Sequence, residues 1–198
     1  MNDLIQIGAS NPRDKFREEC GLMGVWNHRE AANLTYLGLY AQQHRGQEGA
    51  GVIALDPSTR KMTLHKGIGL VSDVFGACDF SQLPGSCSIG HVRYTTAGGH
   101  LLANVQPFYA EISTGQVAVA HNGNLINADS LRAELIKKGA IFSATSDTET
   151  LLHLLARSPT GVPTIEGVLG ALKEIKGAYS LLFLLEDRLI AVRDPNGF

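Results

Sequence analysis

The stretch LLFLLEDRLIAVRD, residues 181–194, limits the folds open to this chain more than any other. Two apolar runs flank Glu186-Asp187. So short a connection returns a strand only antiparallel to the one before it. The sequence therefore predicts a hairpin with strands over 178–185 and 188–193. Other apolar segments read as strands over 21–26, 50–56, 61–66, 86–92 and 116–121. Periodic patterns predict helices over 30–43, 128–138, 147–157 and 165–176. The third opens on a capping-box pattern, Ser146 three residues before Glu149. The fourth places Ile165, Val168, Leu169, Leu172 and Ile175 on one face, with Gly177 closing it. Neither a Gly-x-Gly-x-x-Gly fingerprint after a strand nor a Walker-type loop is present, and no internal repeat is visible. Hairpins followed by helix pairs favour an α+β fold of antiparallel sheets with helices packed outside.

Composition narrows the class of function. Lys and Arg number 17 against 19 Asp and Glu, a net charge of -2, and no basic run or basic-aromatic stripe occurs. Nucleic acid is therefore not an expected partner. The longest apolar run, YSLLFLL at 179–185, is too short to span a bilayer. Residues 1–19 carry Asp3, Asp14, Glu18 and Glu19, have no apolar core and show no sustained periodicity. They are a polar leader rather than a secretory signal. Cys20, Cys78 and Cys87 lack paired spacing, so no disulfide framework or metal site is expected. The expected compartment is a reducing one, the cytoplasm.

The chemistry gathers where the leader meets the core. In DKFREECGLMG, residues 14–24, Cys20 sits at the lip of the first predicted strand. Cleavage between Glu19 and Cys20 would give one residue both a thiol and a free α-amine. An α-amine titrates at about 7.7–8.0 and a thiol at about 8.5. The amine can therefore take the thiol proton near neutral pH and later protonate a leaving amine. The competing reading is a buried, inert cysteine at a strand start.

Three further segments suit an attack on an amide. In AVAHNGNL, 118–125, an apolar strand runs into Asn122-Gly123, whose side-chain amide and N–H could share one oxyanion. The same pair is also a strong hairpin-turn signal. In GHVRYTTAGG, 90–99, Arg93 ends a strand and suits a carboxylate, and the glycines after it suit a lid. A surface arginine before an ordinary loop is the alternative. In TSDTET, 145–150, Asp147 is either a helix-start acid or the partner of an ammonium group. Carboxylate, ammonium and side-chain carbonyl together describe glutamine.

The segments ECG, QHRGQEGAG (43–51), HVRYTTAG (91–98), HNGNL (121–125) and SDTE (146–149) occur in this order. Together they resemble the glutaminase domain of glutamine amidotransferases in the N-terminal-nucleophile hydrolase superfamily. The resemblance spans residues 20–193. It implies a four-layer αββα sandwich of two antiparallel sheets, with residues 1–19 a propeptide removed on maturation. It implies Cys20 as nucleophile with its amine as base, and Asn122 and Gly123 as the oxyanion hole. Arg93 and Asp147 would bind glutamine's carboxylate and ammonium, and Arg45 would order the site. The segment from Tyr94, with Thr96, through QPF at 106–108 would close on glutamine.

Within the family, RYTTAG, QPF and the leader resemble the branch that opens purine synthesis by aminating phosphoribosyl pyrophosphate. The sugar-phosphate amidotransferases usually carry tryptophan and a further histidine where this chain has Tyr94 and Ala97. They remain the alternative, as does a non-catalytic module on the same fold. The resemblance also implies a phosphoribosyltransferase domain outside residues 20–198, no metal in this segment, and Mg2+ in the full-length enzyme. A 4Fe–4S cluster in the full-length enzyme and a homo-oligomer are further expectations. Cys87 is expected in the core and Cys78 in a loop, while His91 and His121 are expected to shape the site through hydrogen bonds.

Overall fold

The computed structural model describes residues 20–94, 102–158 and 164–197. The strands are β1 (Gly21–Val25), β2 (Gly49–Asp56), β3 (Lys61–Ile68), β4 (Cys87–Arg93), β5 (Phe108–Ile112), β6 (Gly115–Leu125), β7 (Gly177–Leu185) and β8 (Arg188–Arg193). The α-helices are α1 (Ala31–Ala41), α2 (Val71–Phe75), α3 (Ala128–Lys137), α4 (Glu149–Ala156) and α5 (Thr164–Glu174). One sheet has the order β1-β4-β2-β3, the other β5-β6-β7-β8, and every pairing is antiparallel. The β7–β8 hairpin closes with Leu185 opposite Arg188, around Glu186-Asp187 as the sequence predicts.

Strand alternation makes four layers from these pieces. In β2, Ala50, Val52 and Ala54 face one way with Leu39, Val71 and Phe75 of α1 and α2. Ile53 and Leu55 face the other way, against Ala118, Ala120 and Leu184 of the second sheet. On the far side of that sheet, Val117, Val119, Leu181 and Phe183 pack under Leu131, Leu151, Leu155 and Val168 of α3, α4 and α5. Each sheet is thus buried on both faces, which is why β2 and β7 read as continuous apolar runs. The fold is the αββα sandwich that the family resemblance implies.

Several local expectations are corrected. Asn122-Gly123 is not a hairpin turn, because β6 runs through it with Asn122 opposite Ser180 and Gly123 opposite Tyr179. The capping box at Ser146 does not form. Helix α4 starts at Glu149, whose carboxylate reaches back to the N–H groups of Ser143 and Ala144, both at 2.8 Å. That bond pattern anchors the 143–147 loop beside β6. Leu169 lies on the outer face of α5 at 52% exposure, since Gly167, Val168 and Ala171 form the buried stripe. β5 escaped notice because FYAEI exposes alternate residues and follows Pro107. The last part of the supposed lid is built into the fold, with Asn104, Val105 and Gln106 all buried.

Candidate active site

The site lies at one end of the sandwich, where β1 begins and β4 ends. Antiparallel pairing sets Gly21 opposite Val92, so Cys20 meets the residues that follow. Its Sγ lies 3.7 Å from the carbonyl oxygen of Tyr94, in reach of a weak thiol hydrogen bond. Cys20 has a φ of 58°, a left-handed conformation unusual for a side chain with a Cβ. Arg45 stabilises that geometry by donating from Nε to the Cys20 carbonyl at 2.8 Å. The turn carrying Arg45 packs tightly under β4, since a Cβ at Gly46 would lie 2.7 Å from the Arg93 carbonyl carbon. Arg93 donates to the Asn104 carbonyl at 2.9 Å. Thr96 lies outside the described residues.

Asn122 and Gly123 arrive on β6, beyond the end of β5. The N–H of Ile126 donates to Lys176 on the β7 side, so even-numbered residues here turn their backbone groups toward β7. Odd-numbered residues turn theirs to the opposite edge. There the N–H of His121 donates to Gln106 Oε1 at 2.7 Å, and that of Leu125 to Asp147 Oδ2 at 3.0 Å. Among the described residues no side chain caps the N–H of Gly123, which lies between them. Gly123 has a φ of 141°, and a Cβ there would collide with the Ala178 carbonyl. Asn122 continues the alternation of Ala118 and Ala120 and therefore faces the first sheet, half-buried.

Asp147 and His121 form a pair, Oδ1 to Nδ1 at 3.5 Å, with the Thr148 hydroxyl 3.2 Å from the same ring nitrogen. Burial raises the Asp147 pKa, but the His121 contact, the Leu125 N–H and the Thr148 hydroxyl outweigh it and hold the carboxyl below its ordinary value. It is therefore ionised at neutral pH, as an ammonium partner must be.

His91, on β4, is fully buried, and neither ring nitrogen finds a partner among the described residues. Burial first, then the nearby His121 and Arg93, push its pKa down to about 3. Folded His91 is neutral, while in the unfolded chain it takes a proton below about 6.5. Its contribution to stability is complete above that value and declines as pH falls toward its folded pKa, by about 1.4 kcal/mol per pH unit. Denaturant melts of the wild type and His91→Gln between those limits should show the variant's pH slope lower by about one proton. Equal slopes would refute this.

Sequence reasoning missed three braces of the site. Asn104, 1% exposed, trades two 2.9 Å bonds with Thr145 while accepting from Arg93. Lys66 donates to the Val105 carbonyl at 2.7 Å. Gln106 bonds both backbone groups of His121. The one signal was QPF, read as part of a lid. Of the two histidines expected to shape the site through hydrogen bonds, His121 does so with Thr148, while the His91 ring lies buried beside the His121 backbone. Cys87 is core, as expected, and Cys78 follows α2 in a turn. Among the described residues no three His, Cys, Asp or Glu converge to hold a metal. No helix among them is long and apolar enough to cross a membrane.

Fold and site define a class, the glutamine amidotransferase domain, and residues 91–198 match that family. Amidophosphoribosyltransferase 2, chloroplastic, of Arabidopsis thaliana is 49% identical over 100% of this chain and 35% of the relative. The amidophosphoribosyltransferase of Lacticaseibacillus casei is 48% identical over 91% of this chain and 92% of the relative. The structure of glutamine phosphoribosylpyrophosphate amidotransferase from B. subtilis, complexed with ADP and GMP, superimposes with a TM-score of 0.81 at 44% identity. It covers 89% of this chain and 37% of that one. The chain belongs to the amidophosphoribosyltransferase family, where it corresponds to the glutamine amidotransferase domain. It spans about a third of the length of the Arabidopsis relative.

Proposed function

We propose that residues 20–198 hydrolyse glutamine through a Cys20 thioester once residues 1–19 are removed. The supporting observation is the edge of β6, where His121 and Leu125 have their N–H groups capped and Gly123 between them does not. The α-amine of Cys20 takes the thiol proton, and the thiolate attacks the side-chain amide carbon of glutamine. The negative oxygen is held by the Asn122 side-chain amide and the Gly123 N–H. The tetrahedral adduct collapses to a thioester as the amine protonates departing ammonia. Water then attacks the thioester, passing through the same oxyanion site to glutamate. Arg93 would hold glutamine's carboxylate, Asp147 its ammonium, and Tyr94 and Thr96 would flank it.

In the full-length enzyme the ammonia would replace the pyrophosphate of phosphoribosyl pyrophosphate, giving 5-phosphoribosylamine, the first step of purine synthesis. The names of the relatives support this reading. It includes a phosphoribosyltransferase domain, a cytoplasmic homo-oligomer, and Mg2+ or a 4Fe–4S cluster held by residues outside this segment.

Intact mass tests the first step. The purified chain should weigh what residues 20–198 weigh and gain one adduct from a chloroketone analogue of glutamine. A chain expressed from Cys20 behind the initiator methionine that takes no adduct would refute the proposal.

A further inference from the structure

We infer that Gln106 is a positioning residue for the oxyanion site, standing in for a β5 backbone that stops too soon. The inference rests on the thioester reading above. The register of the β5–β6 pair places Phe108 opposite Val119, so its continuation places residue 106 opposite His121. Backbone pairing does not reach that far. Pro107 has no N–H to give. The Gln106 carbonyl is turned to the first sheet, over Gly51, where a Cβ would collide with it. The side-chain amide pairs instead, Oε1 accepting from the His121 N–H at 2.7 Å and Nε2 donating to the His121 carbonyl at 3.3 Å. These are the two bonds a strand neighbour would have made.

The consequence falls on the next two residues. Asn122 and Gly123 hang from a peptide that Gln106 clamps on one edge and β7 on the other. Gln106 itself is 5% exposed and cannot wander. The residues before it are tied down, Asn104 to Thr145 and Arg93 and Val105 to Lys66, and Phe108 after it pairs with Val119. One short segment therefore fixes the carboxylate-binding arginine and the oxyanion edge relative to each other. Removing the amide leaves the buried backbone groups of His121 unpaired and lets the donors drift. A drift of that kind weakens transition-state binding more than glutamine binding.

The test compares Gln106→Met and Gln106→Asn with the unsubstituted chain, all expressed from Cys20 behind the initiator methionine. Met matches the length without the amide; Asn keeps an amide one methylene too short to reach. Gln116→Met is the control, because Gln116 makes comparable bonds to Met62 and Tyr109 at the opposite end of β6. Steady-state glutaminase assays give kcat and KM. Competition with glutamate γ-semialdehyde, whose aldehyde takes the thiolate and leaves an oxyanion, gives affinity for a transition-state mimic. Both Gln106 variants should lose about tenfold or more in kcat, with KM changed less than about threefold. The aldehyde should lose affinity by a factor similar to kcat. Gln116→Met should lower the melting temperature and leave both quantities unchanged.

The ratio of aldehyde affinity to KM does not depend on how much of a variant folds. Unchanged ratios, losses in KM alone, or failure of both variants to fold would assign Gln106 to the scaffold and overturn the inference. An unsubstituted chain that neither hydrolyses glutamine nor binds the aldehyde would overturn the thioester reading itself, and this inference with it.

Discussion

Cys20→Ala should lower glutamine hydrolysis by at least about four orders of magnitude, because it removes the nucleophile and not a helper. No other thiol can substitute. Cys87 is 1% exposed at the opposite end of β4, inside the core between the sheets. Cys78 follows α2, and burial and the neighbouring Asp79 raise the pKa of its thiol, leaving it a poor nucleophile. The fold holds Cys20 by its carbonyl, through Arg45 Nε at 2.8 Å, and alanine keeps that carbonyl. The melting temperature should therefore move by no more than about 2 °C. Cys20→Ser retains the amine and a hydroxyl, so it should keep a small residual rate. A chain with residues 1–19 still attached should be as inactive as Cys20→Ala, since the base is then an amide nitrogen. Measured ammonia release above about 1% of wild type from either would sink the mechanism, given that an acylated amine has no basic lone pair at neutral pH.

The antiparallel architecture could be read from the sequence at the β7–β8 hairpin, because a two-residue connection leaves no other geometry. Cys20, Arg93 and Asp147 could be singled out for similar reasons: each is a chemically distinctive residue at the end of a patterned segment. The conformation of Asn122-Gly123 could not. The dipeptide is a turn signal in isolation, yet Ser180 and Tyr179 pair with it from more than fifty residues away and draw it into β6. Gln106 was hidden for a related reason. Its importance comes from a register it shares with His121 and from a strand that ends at Phe108, and neither is a property of nearby sequence. Glu149 shows the same limit at a helix start. A capping-box pattern offered it one N–H, and tertiary structure offered it the 143–144 backbone instead.

Gly123→Ala should damage stability and chemistry together, and the two effects can be separated. Gly123 has a φ of 141°, a region that residues with a Cβ rarely adopt, and the added carbon would meet the Ala178 carbonyl of the paired strand. Strain of this kind costs of order 1–3 kcal/mol, or a fall of about 2–12 °C in melting temperature for a domain of this size. Relief requires β6 to shift away from β7 at Gly123 and Tyr179, which moves the very N–H assigned to the oxyanion. Loss of one such donor lowers kcat by about 10²–10³-fold. Gly85→Ala separates the two effects. Gly85 has a φ of 127° and an added Cβ there collides with the Leu55 carbonyl, an equal strain at the opposite end of β4. It should lower the melting temperature by a similar amount while kcat, measured well below either transition, stays within about twofold of wild type. If both variants lose kcat alike, the loss reflects a loosened fold, and Gly123 is not the oxyanion donor. If Gly123→Ala alone loses it, the turnover defect belongs to the position of a single N–H on the edge of β6.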